Sequence, residues 1–512
     1  MKRSTLPGVT ITRGPSDWQI IQRNINGAAD IPMAGTWRLE DGDTRQAQVE
    51  VRVINIETQR ALSAALDWHA ADTTPVNTWT HIIRNIPAGG PYRIDTRVSP
   101  VGDERNLAGD RRHYIGVGDL WVIAGQSNAV GFGHGPVNDP PEMGVHLFRP
   151  SQQWALADHP LFDSTGTRHP DSMDRGWVDH SPWLVFAKRL RSALGVPIGL
   201  IPAALGGSPL KSWDPGDENP YLFRNMLTMI RSATSYRNFS AFDMDDGGPV
   251  YLPTPSSTYG QVAGMVWYQG CSETGDETVA RSYGSRFSRF VQCLRGALEE
   301  HVLPIITCQL NRVMSLVTIG VDPKLSELWG LVREAQRAAA RDIPNVAIVP
   351  TLDCSLSDII HTSSAGNMLI GDRAAAAALG LAYGKALHWR APDIARAEFV
   401  ENRKDVIDIH FVHVVGRLWQ YKEEITQFQA GDASGRAAIK NVELLKNNIV
   451  RLTTIRELGE GSKVWNCAGH NPEVCLLDSA DRPILSFSEI PVTQSLPVKI
   501  NASDVLLNSQ IG

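Results

Sequence analysis

The chain has 512 residues, more than a single hydrophobic core usually organises, which predicts two or three domains. Hydrophobic residues make up 42% and charged residues 20% of the sequence, a globular balance that excludes a largely disordered protein. The net charge of −6 comes without a long basic run, so nucleic acid is not an expected partner. No apolar run approaches the roughly 18 residues of a membrane helix, so no membrane span is expected.

The six cysteines show neither a CxxC motif nor a Cys/His cluster at zinc spacing. We expect no metal and no cofactor. Only Cys467 and Cys475 are close enough in sequence for a local disulfide, and we favour six reduced thiols because spacing alone does not establish pairing. The start, MKRSTLPGVTITRGP, lacks the apolar region of a signal peptide. This predicts a cytoplasmic protein, or a secreted or periplasmic one whose leader has been removed. The sequence indicates no oligomeric state.

Residues 1–115 alternate polar and apolar positions in short runs such as VTITRG, AQVEVRVIN and PYRIDTRVS. Alternation with a period of two, interrupted by Gly, Pro and Asn, is typical of antiparallel strands. We therefore predict an N-terminal β domain that resembles a small sandwich.

Residues 116–395 differ, because short apolar runs alternate there with longer amphipathic stretches. The apolar runs are LWVIAG, VPIGLIPAAL, VAGMVWYQG, LPIITCQL and NVAIVPTLD. Such a pattern predicts an α/β domain whose parallel sheet is covered by helices on both faces. Residues 214–260 are rich in Pro, Gly, Ser and Asp and predict a long loop with one short helix, where we expect substrate specificity to lie. From residue 396 to 512 the alternation returns and predicts a second β module.

Polar residues gather where these predicted parallel strands end, at the edge of a sheet where functional groups collect. Taken alone, each has a simpler interpretation: Ser127 as a helix N-cap, Gly206 and Gly207 as a turn, Gln269 as a buried amide, and Asp358 with His361 as a surface turn. Their placement on one edge of one sheet favours a common site.

A serine nucleophile explains why these residue types occur together. Serine needs an imidazole to accept its proton, and the imidazole needs a carboxylate to fix its tautomer. Asp358 and His361 are three residues apart, which lets the carboxylate reach the ring. Candidate donors to an oxyanion are the N–H groups of Ser127 and of Gly206 or Gly207, together with the Gln269 amide.

Trp213 is the aromatic residue with the strongest claim to line a substrate pocket, because it lies in a Gly/Pro-rich segment. Core packing is an equally good interpretation for so large a side chain. We assign it to substrate binding and leave the choice to the structure.

The segments WVIAGQSNAVG, IPAALGGSPLKSW, VWYQGCSET and DIIH resemble blocks of the SGNH hydrolase superfamily, specifically the sialate O-acetylesterase-like carbohydrate esterases. The resemblance spans roughly residues 118–373. It implies a flavodoxin-like three-layer domain that hydrolyses acetyl esters on sugars without a metal, through an acyl-enzyme. An acetylated carbohydrate, such as an O-acetylated sialic acid or polysaccharide, is then the expected partner.

Carried over by position, the resemblance implies that Ser127 is the nucleophile, His361 the base and Asp358 its partner. Gly207 and Gln269 then complete the oxyanion hole beside the Ser127 amide. Gln126 and Asn128 shape the loop and are assigned, with Trp213, to the substrate side of the site.

The chain departs from its relatives at Cys271, where the third block commonly carries a glutamate after WYQG. This departure places more weight on Asp358 and leaves Asp353 as a second candidate for the histidine's partner. It also motivates an alternative function, a carbohydrate-binding or adhesive protein that has lost turnover. A lipase or thioesterase is disfavoured, because the serine lacks a GxSxG context.

Overall fold

The computed structural model describes residues 6–174, 177–243, 248–252, 260–385, 388–401 and 403–494. Internal contacts divide the chain into two compact units, Met1–Arg390 and Ala391–Gly512. The predicted boundaries after residues 115 and 395 both fall inside strands, whose bounds follow. The division into three domains stays a prediction.

Strands and helices take these bounds in chain order. The strands of the first unit are β1 Gly8–Gly14, β2 Ile20–Gln22, β3 Ala28–Arg38, β4 Ala47–Asn55, β5 Arg60–Ala61, β6 His69–Ala70, β7 Asp72–Thr73, β8 Thr78–Pro87, β9 Gly89–Pro100, β10 Leu107–Gly125, β11 Val145–Phe148, β12 Trp154–Leu156, β13 Ile198–Pro202, β14 Tyr236–Asp243, β15 Gly248–Leu252, β16 Gly264–Tyr268, β17 Ile305–Cys308 and β18 Val346–Val349. The helices are α1 Ser127–Val130, α2 Trp183–Leu194, α3 Tyr221–Thr234, α4 Glu277–Ala297, α5 Ser326–Asp342 and α6 Ser364–Leu381.

The second unit contains β19 Asp393–Val400, β20 Arg403–Val412, β21 Trp419–Gln420, β22 Phe428–Asp432, β23 Gly435–Ala437, β24 Ile439–Leu445, β25 Ile449–Thr454, β26 Lys463–Asn466, β27 Leu476–Leu477 and β28 Phe487–Gln494. Eight of these strands form one sheet around an apolar core that includes Ile407, Val450 and Phe487. The predicted C-terminal β module is therefore a β-rich unit. Cys467 and Cys475 lie in this unit as free thiols. The other four cysteines, in the first unit, are also free thiols.

A parallel sheet organises the middle of the first unit. Its strands follow the order β11-β13-β10-β16-β17-β18, and each neighbouring pair is parallel. The register pairs Gly125 with Tyr268 and Cys308 with Val349, so the carboxyl ends of these strands meet at one edge. The sequence predicted five of the six strands; β11 and the antiparallel edge strand β12 were not expected.

Helices cover both faces of this sheet, because its mainly apolar strands are buried on both sides. Along β10, Leu120 and Val122 pack into the core that contains α3, α4 and α5. Trp121 and Ile123 face the opposite way, into the core that contains α2 and α6. Successive residues of a strand point to opposite faces, which explains the near-continuous apolar run LWVIAG. The mixed α/β class is confirmed.

The N-terminal strands form a second layered structure that shares β10 with the parallel sheet. β1, β3, β7 and β8 belong to one sheet, while β4 pairs with β9 and β9 pairs in turn with the first half of β10. Their inward residues, among them Val9, Ile31, Val51 and Ile94, form a common core. Because β10 continues from one sheet into the other, it anchors the parallel sheet to the N-terminal β layers.

The prediction of a long loop over residues 214–260 was wrong in part. The segment contains the 14-residue helix α3 and the strands β14 and β15, and β14 pairs with β1 in the N-terminal sheet. Part of the segment expected to be a specificity loop therefore extends the N-terminal sheet. Residues 244–247 and 253–259 lie outside the described residues. Among the helices that the described residues form, none has the length and apolar character needed to cross a bilayer.

Candidate active site

The serine segment Gly125–Asn128 joins β10 to α1 and is almost completely buried. Gly125 has φ +130°, and a Cβ there would lie 2.2 Å from the Tyr268 carbonyl oxygen, so only glycine fits between the two parallel strands. The backbone then turns, and Ser127 becomes the first residue of α1 with 8% of its surface exposed. The glycine thus allows the strand to end against its neighbour and the serine to begin a helix.

Gln126 connects the serine segment to the end of β16. Its Oε1 accepts hydrogen bonds from the N–H groups of Gly270 and Cys271, both at 2.9 Å. Its own N–H donates to the Tyr268 carbonyl. With 3% of its surface exposed, Gln126 holds the loop in shape rather than facing solvent. These contacts favour a structural role for Gln126, and its assignment to the substrate side stays a prediction.

The histidine segment Asp358–His361 is held by hydrogen bonds within its own four residues. Asp358 Oδ1 accepts from the N–H groups of Ile360 and His361 at 2.8 and 2.7 Å, while Oδ2 lies 2.7 Å from His361 Nδ1. Burial raises the pKa of Asp358, but these hydrogen bonds outweigh it and lower that pKa below its ordinary value. The ring of His361 also stacks on Phe132, with centroids 4.8 Å apart.

Asn128 ties the serine segment to the histidine segment. Its Oδ1 accepts from the N–H of Thr362 at 3.0 Å and from the Thr362 hydroxyl at 3.2 Å. Its Nδ2 lies 3.4 Å from the carbonyl oxygen of Ile360. The residue after Ser127 therefore contacts both residues that flank His361. Asn128 is 2% exposed, which makes it a link between the segments instead of a group open to substrate.

Two backbone N–H groups near the serine are available to an oxyanion. The N–H groups of Ser127 and Gly207 donate to no acceptor among the described residues. The Gly206 N–H, by contrast, donates to Asp174 Oδ2 at 2.8 Å. Of the two glycines considered, Gly207 is the better candidate, and its φ of +65° suits glycine.

Gln269 is fully buried and its amide is engaged elsewhere. Its Nε2 donates to Glu273 and to the carbonyl oxygen of Ser208. Its main-chain oxygen accepts from Tyr283 and Gln336. A donor role toward an oxyanion would require the Gln269 amide to leave Glu273, so that role stays a prediction.

Glu273 is a buried carboxylate that sequence reasoning missed. It is 1% exposed and accepts from the Leu210 N–H at 2.6 Å as well as from Gln269. Burial raises its pKa above the ordinary value, an effect that these hydrogen bonds only partly offset. The signal was present in the sequence, because a glutamate does follow WYQG, two residues later than in the relatives.

Trp213 and Asp353 take structural positions. Trp213 is completely buried and packs edge to face against Trp267 and Phe290, which favours core packing over the substrate-binding role assigned to it. Asp353 is paired with Arg373 at 2.6 Å and 2.8 Å. Asp358, and not Asp353, is therefore the carboxylate that contacts His361.

Asp139, His159 and His180 form the one group among the described residues whose ligand atoms lie close enough to hold a metal ion. His159 Nε2 lies 2.9 Å from the carboxylate, and the ammonium of Lys188 lies 2.6 Å from its other oxygen. Burial would raise the pKa of Asp139, but contacts with these three basic residues hold it well below its usual range. A protein cation already balances the carboxylate, so we interpret the group as a buried charge cluster.

The comparisons with known proteins agree with this architecture. Residues 117–380 match the sequence profile of the family described as "SASA: Carbohydrate esterase, sialic acid-specific acetylesterase". This match covers about half of the 512 residues, and the chain belongs to this carbohydrate esterase family. The resemblance to SGNH hydrolases of the sialate O-acetylesterase-like type is confirmed.

Two particular proteins are similar to the chain. A probable carbohydrate esterase of Arabidopsis thaliana is 28% identical over 207 residues, which cover 36% of this chain and 66% of that protein, just under two thirds of its length. The crystal structure of a carbohydrate acetylesterase from Xanthomonas citri aligns with a TM-score of 0.62 at 20% identity. That alignment covers 94% of this chain and 99% of the other, which shows a shared fold.

Proposed function

We propose that the chain is a serine carbohydrate O-acetylesterase in which Ser127 is the nucleophile, His361 the general base and Asp358 the carboxylate that orients the base. The observation that carries this proposal is the 2.7 Å contact between His361 Nδ1 and Asp358 Oδ2. It leaves Nε2 as the nitrogen free to accept a proton. Membership of a carbohydrate esterase family supports an acetylated sugar as the substrate.

The reaction begins when Ser127 Oγ attacks the acetyl carbonyl while His361 Nε2 accepts its proton. Negative charge then develops on the carbonyl oxygen, where the N–H groups of Ser127 and Gly207 are the candidate donors. His361 returns the proton to the departing sugar hydroxyl, and an acetyl-serine remains. Water, deprotonated by the same histidine, releases acetate and regenerates the serine.

The charge state of Asp358 suits this role. Its lowered pKa keeps the carboxylate ionised at neutral pH, which favours the Nδ1–H tautomer of His361 and stabilises the imidazolium. The stacked ring of Phe132 limits rotation of the imidazole. Both contacts therefore serve to aim Nε2 in one direction.

Cys271, the other nucleophilic side chain near the site, is poorly suited to attack. Burial raises the pKa of its thiol to about 12, so little thiolate exists at neutral pH. Serine chemistry is favoured over cysteine chemistry for this reason.

For the fold, the parallel strand order and the two helix layers support a flavodoxin-like SGNH domain as part of the same proposal.

The proposal is tested by acetate release from 4-nitrophenyl acetate and from acetylated sugars, with Ser127→Ala and Cys271→Ala as a matched pair. We expect Ser127→Ala to lose at least about 10³-fold in kcat and Cys271→Ala to retain turnover. Unchanged thermal unfolding of both variants would show that the fold is intact. Full activity of Ser127→Ala would refute the mechanism, and sugar binding without any turnover by the wild-type protein would favour the binding-protein alternative.

A further inference from the structure

A cavity of about 650 Å³ adjoins the candidate site and is not used by the proposed mechanism. Its volume falls within the roughly 300–1,000 Å³ typical of small-molecule sites. The described residues that line it include an exposed tryptophan, two further apolar side chains and three carboxylates: Trp177, Phe162, Met173, Asp163, Asp174 and Asp179.

Two walls of the cavity connect it to the candidate site. His134 lines one wall and lies two residues after Phe132, whose ring stacks on His361. Asp174 lines another, and its Oδ2 accepts the N–H of Gly206, the neighbour of the candidate oxyanion donor Gly207. A molecule in the cavity would therefore lie next to both the histidine segment and the glycine turn.

Trp177 is the chemical feature that distinguishes this cavity. It keeps 85% of its surface exposed, which leaves an apolar indole face without protein packing. By contrast, Trp121, Trp183, Trp213 and Trp267, which also lie near the sheet, are completely buried. An exposed aromatic face bordered by polar groups suits a ligand that has an apolar face and a polar edge.

The polar groups of the lining are mainly hydrogen-bond acceptors. Asp163 accepts from the Thr165 N–H at 2.9 Å, and these contacts lower its pKa, so it is ionised at neutral pH. Asp179 pairs with His134 at 3.1 Å. Carboxylates accept hydrogen bonds from hydroxyl groups and repel other anions.

We propose that this cavity binds an uncharged sugar ring of the substrate, stacked on Trp177, with Asp163, Asp174 and Asp179 as acceptors for its hydroxyl groups. A pyranose ring has one face of C–H groups and an edge of hydroxyls, which matches the indole and the carboxylates. Sialic acid and uronic acids carry a carboxylate of their own and are disfavoured by this lining. The inference rests on the proposed esterase function and identifies the substrate class of that site.

The test compares Trp177→Ala with Trp68→Ala, which removes a tryptophan held between Arg52 and Arg97 in the N-terminal β layers. Acetate release is measured on an acetylated neutral oligosaccharide, on O-acetylated sialic acid and on 4-nitrophenyl acetate. We expect Trp177→Ala to raise KM for the neutral oligosaccharide about tenfold with little change in kcat. Every parameter of Trp68→Ala, including its kcat/KM on 4-nitrophenyl acetate, should stay within about twofold of wild type.

An unchanged KM of Trp177→Ala, or faster turnover of O-acetylated sialic acid than of the neutral sugar by the wild type, would overturn the inference. Calorimetric titration with the deacetylated oligosaccharide gives a readout that does not need turnover. If the wild type binds this sugar and Trp177→Ala does not, while 4-nitrophenyl acetate is not hydrolysed, the sugar site stands and the esterase proposal fails. If 4-nitrophenyl acetate is hydrolysed while the wild type and Trp177→Ala bind the sugar equally well, the esterase proposal stands and the sugar site fails.

Discussion

The serine segment and the histidine segment reach the same site by different means. Gly125–Asn128 is buried and depends on distant partners, among them Tyr268, Gly270 and Thr362. The histidine segment is more open, with 45% of the Asp358 side chain exposed, and its main contacts run between Asp358 and His361. The proposed nucleophile is held by the core and the proposed base by a local turn, so different changes should disturb them. Four substitutions test this difference.

Asp358→Asn should have the largest effect, because it removes the acceptor that selects the Nδ1–H tautomer of His361. We expect kcat to fall about 10⁴-fold with little change in stability, since the carboxylate is partly exposed. Asp353→Asn is the matched control: it should retain kcat and lose stability, because Arg373 is left without its ion pair. Steady-state kinetics and urea unfolding separate the two outcomes, and the reverse pattern would make Asp353 the catalytic partner.

Asp139→Asn tests the buried charge cluster, whose member His180 pairs through its backbone with Gly133, six residues after Ser127. Removing this buried carboxylate leaves Lys188 uncompensated and should cost about 3–5 kcal/mol of unfolding free energy at pH 7. The folded-state pKa of Asp139 is lowered, so its stabilisation is present above the ordinary Asp value of about 3.8 and is lost as the pH falls below that value.

Urea titrations of Asp139→Asn and wild type at pH 7 and pH 3 measure the difference in unfolding free energy between the two proteins. We expect this difference to be smaller at pH 3. The double variant Asp139→Asn with Lys188→Gln should recover part of the stability at pH 7, because the unpaired ammonium is gone. A stability difference that stays constant with pH would contradict the charge-cluster interpretation.

Gly125→Ala tests how tightly the end of β10 fits against β16. The new methyl group would lie 2.2 Å from the Tyr268 carbonyl oxygen at a φ of +130°, so we expect a loss of about 3 kcal/mol in unfolding free energy. Gly284→Ala in helix α4 is the control, because its Cβ would lie 3.8 Å from the Ala335 side chain of helix α5. That substitution should leave stability unchanged or raise it by about 0.5–1 kcal/mol. Equal thermal unfolding of both variants would mean that the serine segment tolerates rearrangement.

Asn128→Ala should have the smallest effect of the four, since it removes the link between the segments and keeps all three proposed catalytic groups. Misplacement of His361 relative to Ser127 should lower kcat up to about 10²-fold. Asn466→Ala removes a carboxamide of equal burial from the second unit, where it donates to the Leu485 carbonyl. The Asn466→Ala control should reduce stability without changing kcat. If both variants lost kcat, the effect of Asn128→Ala would be explained by lost packing and not by misplacement of His361.

The pairing of Asp358 with His361 and the parallel sheet were within reach of the sequence, because both depend on local patterns. Three residues separate the carboxylate from the imidazole, and uninterrupted apolar runs specify strands buried on both faces. The family could be identified for the same reason, since GQSN, WYQG and DIIH are contiguous segments of chain.

Other features depend on residues far apart in sequence, and only the tertiary structure decided them. Trp213 lies in the core because Trp267 and Phe290 surround it, and residues 214–260 contain strands because β1 offers an edge for pairing. The amide of Gln269 is occupied by Glu273, and Asn128 reaches Thr362 across the site. Burial and hydrogen-bond partners are properties of the folded chain, so a single residue or motif does not specify them.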